Sequence, residues 1–173
     1  MIIKLFLGIV IIISSTMVGI AIANRYAMRP AQLRALQSGI NILQTEILYF
    51  SSPLPEALHK VSKAISDDIS IIFNRASKGL MEKKRYTINE VWTRAVEDSM
   101  DTTALTEEDK VILINFGLGL GNSDKESQVR HFQLIMEQIK KQEVKAEEIR
   151  KKNEKLYKSL GVLGGMAITV LIL

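Results

Sequence analysis

Few residues in this 173-residue chain are of a type and spacing that could do chemistry, and Glu56-x-x-His59 heads them. Positions three apart share one face of a helix. A carboxylate and an imidazole so placed can ligate one iron of a carboxylate-bridged pair, but that site needs a second Glu-x-x-His and further inward glutamates. The other histidine, His131, has Gln128 at the matching position. His59 therefore reads as a surface or half-buried histidine rather than a ligand. Gly117-x-Gly119-x-Gly121 has the glycine density of a nucleotide loop. It follows an apolar helical run instead of a strand and lacks the G-x-G-x-x-G spacing, so it reads as a helix stop. No Walker lysine motif, nucleophile elbow or His-based triad is present. With no cysteine there is no disulfide, thiolate nucleophile or Cys-based zinc site. The expectation is a non-enzyme with no cofactor and no metal.

The elements that carry these residues all read as helices, and no segment alternates with period two. Pro30 suits the first turn of a helix, and Leu33, Leu36, Ile40, Leu43, Ile47 and Phe50 then form one apolar stripe. Ser51-Ser52-Pro53-Leu54-Pro55 breaks it in a tight corner. A second helix carries Leu54, Ala57, Leu58, Val61, Ala64 and Ile65 on one face. Ser66-Asp67-Asp68 can cap a third, with Ile69, Ile72, Phe73, Ala76 and Leu80, and Lys83-Lys84-Arg85 is a basic connection. Thr87-x-x-Glu90 and Thr106-x-x-Asp109 open the fourth and fifth helices with capping-box patterns. The fourth buries Val91, Trp92, Ala95 and Val96. The fifth is apolar nearly all round from Val111 to Phe116, as a central helix would be. Ser123 is placed to cap a sixth, which has no Pro or Gly before Gly161. The fold class is all-α, a bundle of about six helices.

Charge is distributed unevenly. Lys4 is the only charged side chain before Arg25, and Lys158 is the last in the chain. The uncharged run Leu5–Ala23 approaches the ~20 residues needed to span a bilayer. Ala21-Ile22-Ala23 resembles a signal-peptidase site, but Arg25, Arg29 and Arg34 follow directly, as in a retained span whose next loop is cytoplasmic. Ser159–Leu173 is also uncharged. At ~1.5 Å per residue it is short of a ~30 Å hydrocarbon core, unless Tyr157 sits at the interface and the Lys155 and Lys158 stems snorkel. Lys145, Arg150, Lys151 and Lys152 precede it, so both flanks point the same way. Small residues at Ser15, Gly19 and Ala23, and at Gly161 and Gly165, would let spans approach closely. Residues 140–158 are mostly charged, with Glu147–Lys151, Glu148–Lys152 and Glu154–Lys158 at i,i+4, and read as a solvated stalk. The expected organisation is a transmembrane helix over 1–27, a cytoplasmic bundle over 28–139, a stalk over 140–158 and a transmembrane helix over 159–173. Net charge is +4 and aromatics make up 6% of the chain, not interleaved with the basic residues, so no nucleic-acid partner is expected.

Four stretches together resemble one family: MRPAQLRALQ at 28–37, SSPLPEAL at 51–58, FGLGLGNSD at 116–124 with Gln128 soon after, and NEKLYKSLGVLGG at 153–165. With the two apolar ends, they resemble the stage III sporulation protein AB family of endospore-forming bacteria, over nearly the whole chain. The PLPEAL corner before a helical bundle is also similar to the cytoplasmic domains of type II secretion and type IV pilus platform proteins. Those typically carry two domain copies and three spans. The resemblance implies a component of the channel between mother cell and forespore. It would sit in the mother-cell outer forespore membrane, with both termini opposite the cytoplasmic bundle. Its implied partners are the other stage III sporulation channel proteins, above all a secretion-type cytoplasmic ATPase, stage III sporulation protein AA; the apolar ends add the lipid bilayer, and a homo-oligomer is left open. Pro53, Leu54, Glu56, Ala57 and Leu58 match the corner motif, and Phe116, Gly117, Leu120, Gly121 and Gln128 match the second; most have the character of fold determinants. Glu46, Glu56 and stalk residues such as Lys145 and Arg150 are polar enough to meet a partner. The rivals are a platform for a secretion or pilus system and a membrane-anchored signalling regulator.

Overall fold

The computed structural model describes residues 2–65, 68–82, 86–121 and 124–172, and in the terminal helices the side chains at 2–9, 12, 23, 25, 161, 165 and 170–172 lie outside that description. Among the described residues there are six α-helices, one 3-10 turn at Met100–Thr102, and no strand. The helices are α1 (Ile2–Leu48), α2 (Leu54–Ala64), α3 (Ser70–Met81), α4 (Ile88–Glu97), α5 (Glu107–Gly119) and α6 (Lys125–Ile172). Contacts divide the chain into two units: 31–144, and 1–30 with 145–173.

Within 31–144 the apolar stripes read from the sequence form the core. Leu33, Leu36, Ile40 and Leu43 of α1, Ala57, Leu58 and Val61 of α2, and Ile72, Phe73 and Ala76 of α3 are buried. So are Val91, Trp92, Ala95 and Val96 of α4 and Phe132, Ile135 and Ile139 of α6. Both capping boxes form: Thr87 with Glu90, and Thr106 with Asp109. Each satisfies two N-terminal N–H groups that a helix otherwise leaves unpaired.

Several expectations are corrected. Pro30 lies inside α1 rather than in a first turn. Having no N–H, it leaves the Tyr26 carbonyl without its helical partner, and the helix continues past that one missing bond. Phe50 falls beyond the end of α1 and is 67% exposed, so the buried stripe stops at Leu48. Helix α5 is not apolar-buried all round. Leu113 and Phe116 face inward, while Val111 and Leu118 are more than half exposed, because its neighbours Trp92 and Phe132 meet it through Phe116. Ser66, Asp67, Lys83, Lys84, Arg85 and Ser123 lie outside the described residues. The amino end of α6 is instead capped by Asp124, whose carboxylate accepts the Ser127 N–H at 3.0 Å.

In the second unit, the ring of Tyr26 stacks on that of Tyr157 (5.6 Å, 17°), and Ser15 Oγ lies 3.8 Å from where a Cβ on Gly164 would be. Low numbers on α1 meet high numbers on α6, so these segments run antiparallel. The stalk is therefore not solvated on every side. Ala146 is buried, and Glu147, Arg150, Asn153, Glu154 and Tyr157 are half-buried along one face of α6. Among the described residues no helix is long and apolar enough to cross a membrane. The described side chains of the N-terminal apolar run are only those at 10, 11 and 13–22. Gly161 and Gly165 lie outside the described side chains.

Candidate functional site: a corner and a glycine seam

The first motif stretch builds the corner between α1 and α2. As α1 ends, the N–H groups of Tyr49 and Phe50 both reach the Thr45 carbonyl, at 3.0 and 3.3 Å. Ser51 then adopts φ 50°, a left-handed backbone that favours glycine or asparagine and costs a serine free energy. The chain turns back, and the Ser52 N–H donates to the Glu46 carbonyl at 2.9 Å. Pro53 caps α2 with extended ψ, and Pro55 occupies its first turn, where no N–H is needed. Ser77, buried on α3, donates its hydroxyl to the Pro55 carbonyl at 2.8 Å and ties the corner to the bundle. Ala57 and Leu58 are buried behind it, Leu54 and Pro55 are half-buried, and Pro53 is exposed.

Two carboxylates flank this turn and are placed differently. Glu46 Oε2 accepts from Lys60 Nζ at 2.6 Å and from Ser52 Oγ at 2.6 Å, with its side chain only 14% exposed. The Lys60 hydrogen bond, then that of Ser52, hold its carboxyl below the usual glutamate range. Glu56, in the first turn of α2, is exposed and has no hydrogen bond or ion pair among the described residues. Lys60 is its natural i,i+4 partner, and Glu46 has taken it. Tyr49 and Phe50 stand outward beside this turn, 80% and 67% exposed.

The second motif stretch faces inward. Trp92 is buried and donates its indole N–H to the Leu113 carbonyl at 2.6 Å. Its ring meets Phe73 and Phe116 edge-on, at 5.7 and 5.4 Å, a favoured aromatic arrangement. Phe116 meets Phe132 edge-on at 5.3 Å and stacks on His131 at 5.8 Å. A Cβ on Gly117 would stand 2.4 Å from Trp92 Cδ1, and one on Gly119 would stand 2.2 Å from the His131 ring. These two glycines lie within α5 and make room for rings; the helix stop belongs to Leu120 and Gly121. Leu120 donates its N–H to the Gly117 carbonyl rather than to Phe116, and Gly121 has φ +88°. That leaves the Phe116 carbonyl an orphan of the helix end. His131 Nε2 lies 3.0 Å from it, and because a carbonyl only accepts, Nε2 is the protonated nitrogen. Gln128 is half-buried in the first turn of α6.

His131 thus closes a helix end, while Glu56 and His59 are exposed on α2. Among the described residues no three His, Asp or Glu side chains gather as metal ligands. Between α3 and α4 a groove of about 640 Å³ is lined by charges of both signs, among them Arg75, Arg94, Glu90 and Glu97. Arg75 there is engaged by the Asp98 carbonyl and Ser99 Oγ, and Arg94 lies over the Tyr86 ring. Asn89 Oδ1 is buried with no hydrogen-bond partner among the described residues, packed against Gly117. On α6, Arg150 grips Glu147 with two nitrogens (2.9 and 2.6 Å) and Glu154 with the third (2.7 Å). Glu154 also takes Lys158 at 2.6 Å. Lys145 is exposed. Sequence reasoning missed three placements: His131 as a cap, Ser77 behind the corner, and Gln32. The amide of Gln32, buried beside Leu33, accepts the Ala104 N–H at 2.6 Å and reaches Asp68 at 3.5 Å. A polar residue adjoining an apolar stripe was the available signal for it.

Bonds of this kind fasten helices to one another, and the chain has the build of a helical scaffold whose polar groups are spent on caps, corners and ion pairs. The chain belongs to the stage III sporulation protein AB family, whose sequence model matches residues 4–173. It is 31% identical over 170 residues to the stage III sporulation protein AB of Bacillus subtilis (strain 168), covering 98% of this chain and 99% of that one. A solved structure of a stage III sporulation protein AB superposes with a TM-score of 0.68 at 27% identity, covering 72% of this chain and 97% of the other.

Proposed function

We propose that this sporulation protein is a membrane-held assembly platform of the mother cell–forespore channel. In this reading the unit 31–144 lies in the mother-cell cytoplasm and docks a secretion-type ATPase, stage III sporulation protein AA. The terminal helices hold it in the outer forespore membrane. One observation carries the membrane part. Toward the outer ends of the terminal unit, beyond the charged residues of 145–158, Ile13, Met17, Val18, Leu160 and Leu163 are each more than half exposed. An exposed apolar surface of that extent suits lipid far better than water. The uncharged sequence Leu5–Ala23 and the basic flanks on the bundle side support the same orientation. Docking rather than catalysis is supported by a site whose titratable groups are structural or unpaired at the surface.

The chain has no cysteine, so a single introduced thiol reports topology cleanly. Expressed in vegetative cells, where the far side of the cell membrane faces the medium, Asp101→Cys, exposed on the bundle, is expected to resist a membrane-impermeant maleimide until the cells are permeabilised, while Lys4→Cys reacts in intact cells. Labelling of Asp101→Cys in intact cells would overturn the placement. Co-purification of the full chain in detergent or nanodiscs with the ATPase tests the partner, and absence of a complex would sink that half of the reading.

A further inference from the structure

We propose that the corner between α1 and α2 is a docking surface for a basic segment of a partner protein. The Glu56 carboxylate takes a Lys or Arg of that segment, and the rings of Tyr49 and Phe50 take its stem and a neighbouring apolar side chain. The inference rests on the assembly reading above and specifies the chemistry of the contact.

Three observations converge on this corner. The first is the disposition of charge. In an isolated helix Glu56 and Lys60 would pair at i,i+4 in the favourable order. Here Lys60 Nζ is drawn to Glu46 and Ser52, at 2.6 and 3.3 Å, and Glu56 is left without a partner among the described residues. The remaining exposed cation of α2, Lys63, is two turns beyond Glu56, about 10 Å along the axis, so the corner side of the carboxylate is open to a foreign cation. The second is the aromatic pair. Tyr49 and Phe50 are 80% and 67% exposed, more than Tyr86 at 51%, whereas Phe73, Trp92, Phe116 and Phe132 are buried. Exposed rings and an exposed carboxylate carried on one short turn offer the two chemistries a guanidinium or ammonium prefers, cation–π attraction with stem packing and charge pairing. The third is backbone strain. Ser51 holds φ 50° without being glycine, and the hydrogen bonds of Ser52 to Glu46 and of Ser77 to Pro55 over-determine the turn. Such strain marks a conformation kept for a purpose. It keeps the two rings outside the stripe that Leu48 ends.

Charge decides the occupant. An acidic segment would meet Glu56 unscreened, and a purely apolar one would bury that carboxylate without a partner. The proposal is tested in the full chain, in membranes of sporulating cells, with Phe50→p-benzoyl-phenylalanine as a photo-cross-linker that preserves the ring. The expected product is a cross-link to a partner segment containing Lys or Arg within about one helical turn of the linked residue. Its yield should fall at least about tenfold with Glu56→Arg and recover when that partner cation is changed to Glu. Glu56→Gln should lower the yield to a smaller degree, and serves if the arginine variant does not accumulate. Four outcomes would overturn the proposal: a cross-link only to lipid, one only to a second copy, one to a segment lacking Lys and Arg, or a yield that Glu56→Arg leaves unchanged. A different segment of the same partner would refute this chemistry while leaving the assembly reading intact. A failure of Asp101→Cys shielding would refute the latter by itself.

Discussion

The corner at 51–58 and the glycine stretch at 116–124 look alike in sequence, each a cluster of turn-forming residues between apolar helices, yet the fold uses them in opposite directions. At the glycine stretch, missing side chains make room for rings, and the contacts of 116–119 point inward: Trp92 over Gly117, His131 over Gly119, and the imidazole on the Phe116 carbonyl. At the corner, the specific contacts are at the rim. Glu46, Ser52, Lys60 and Ser77 fasten the turn, and Tyr49, Phe50 and Glu56 are left facing out. A family motif thus mixes residues that build with residues that are shown to the outside, and only burial and bonding separate the two.

If that division is correct, the inward stretch should be far less tolerant of change. The largest effect belongs to Trp92→Ala, which removes a buried ring touching Phe73 and Phe116 and orphans the Leu113 carbonyl bond. A loss of about 3–5 kcal/mol in denaturant unfolding is expected. Gly119→Ala comes next. Its methyl meets the His131 ring at 2.2 Å, and a ring stacked on Phe116 and bonded to its carbonyl cannot step aside freely. A loss of about 1–3 kcal/mol is expected. In a His131→Ala background the same substitution should cost much less, because the clash is gone. Equal costs in both backgrounds would show that Gly119 serves the helix stop alone.

Helix existence and type were legible because the physics is local. Apolar stripes at helical spacing, two capping boxes and a proline-marked corner each declare themselves within a few residues. Three things were not legible, for a common reason. The continuation of α1 through Pro30 depends on packing that offsets one missing hydrogen bond. The role of Gly117 and Gly119 depends on Trp92 and His131, which are distant in sequence. The division of labour between Glu46 and Glu56 depends on which of them Lys60 reaches. Each is a tertiary choice between options that sequence spacing leaves equal. The one-sided burial of α5 belongs with them, since apolar residues on all sides do not say which side finds a neighbour.

Glu46→Gln sharpens the comparison at the corner. The Lys60 and Ser52 hydrogen bonds hold the Glu46 carboxyl below its usual range. A carboxyl with a depressed folded pKa contributes stability above its unfolded value, about 4.3. That contribution is lost as the pH falls through the lower, folded value. The variant should therefore melt a few degrees below the parent at pH 7, and the gap should close on acidification below about pH 4. A gap independent of pH would mean that the charge of Glu46 does not hold the turn.

The smallest expected effect is the most discriminating. Glu56→Gln removes a carboxylate with no hydrogen bond or ion pair among the described residues, so the melting temperature should stay within about 1–2 °C of the parent. The alternative role for this residue is local: an acid in the first turn of a helix stabilises the helix by complementing the exposed N–H groups and the macrodipole. The two roles separate when stability and function are read on the same variant. A purely local Glu56 would lower the melting temperature and leave spore yield nearly unchanged at permissive temperature. A displayed Glu56 would leave melting unchanged and lower spore yield, and Glu46→Gln would lower both. Should Glu56→Gln destabilise the bundle as much as Glu46→Gln does, the corner would have no outward half, and its carboxylates would be structural alike.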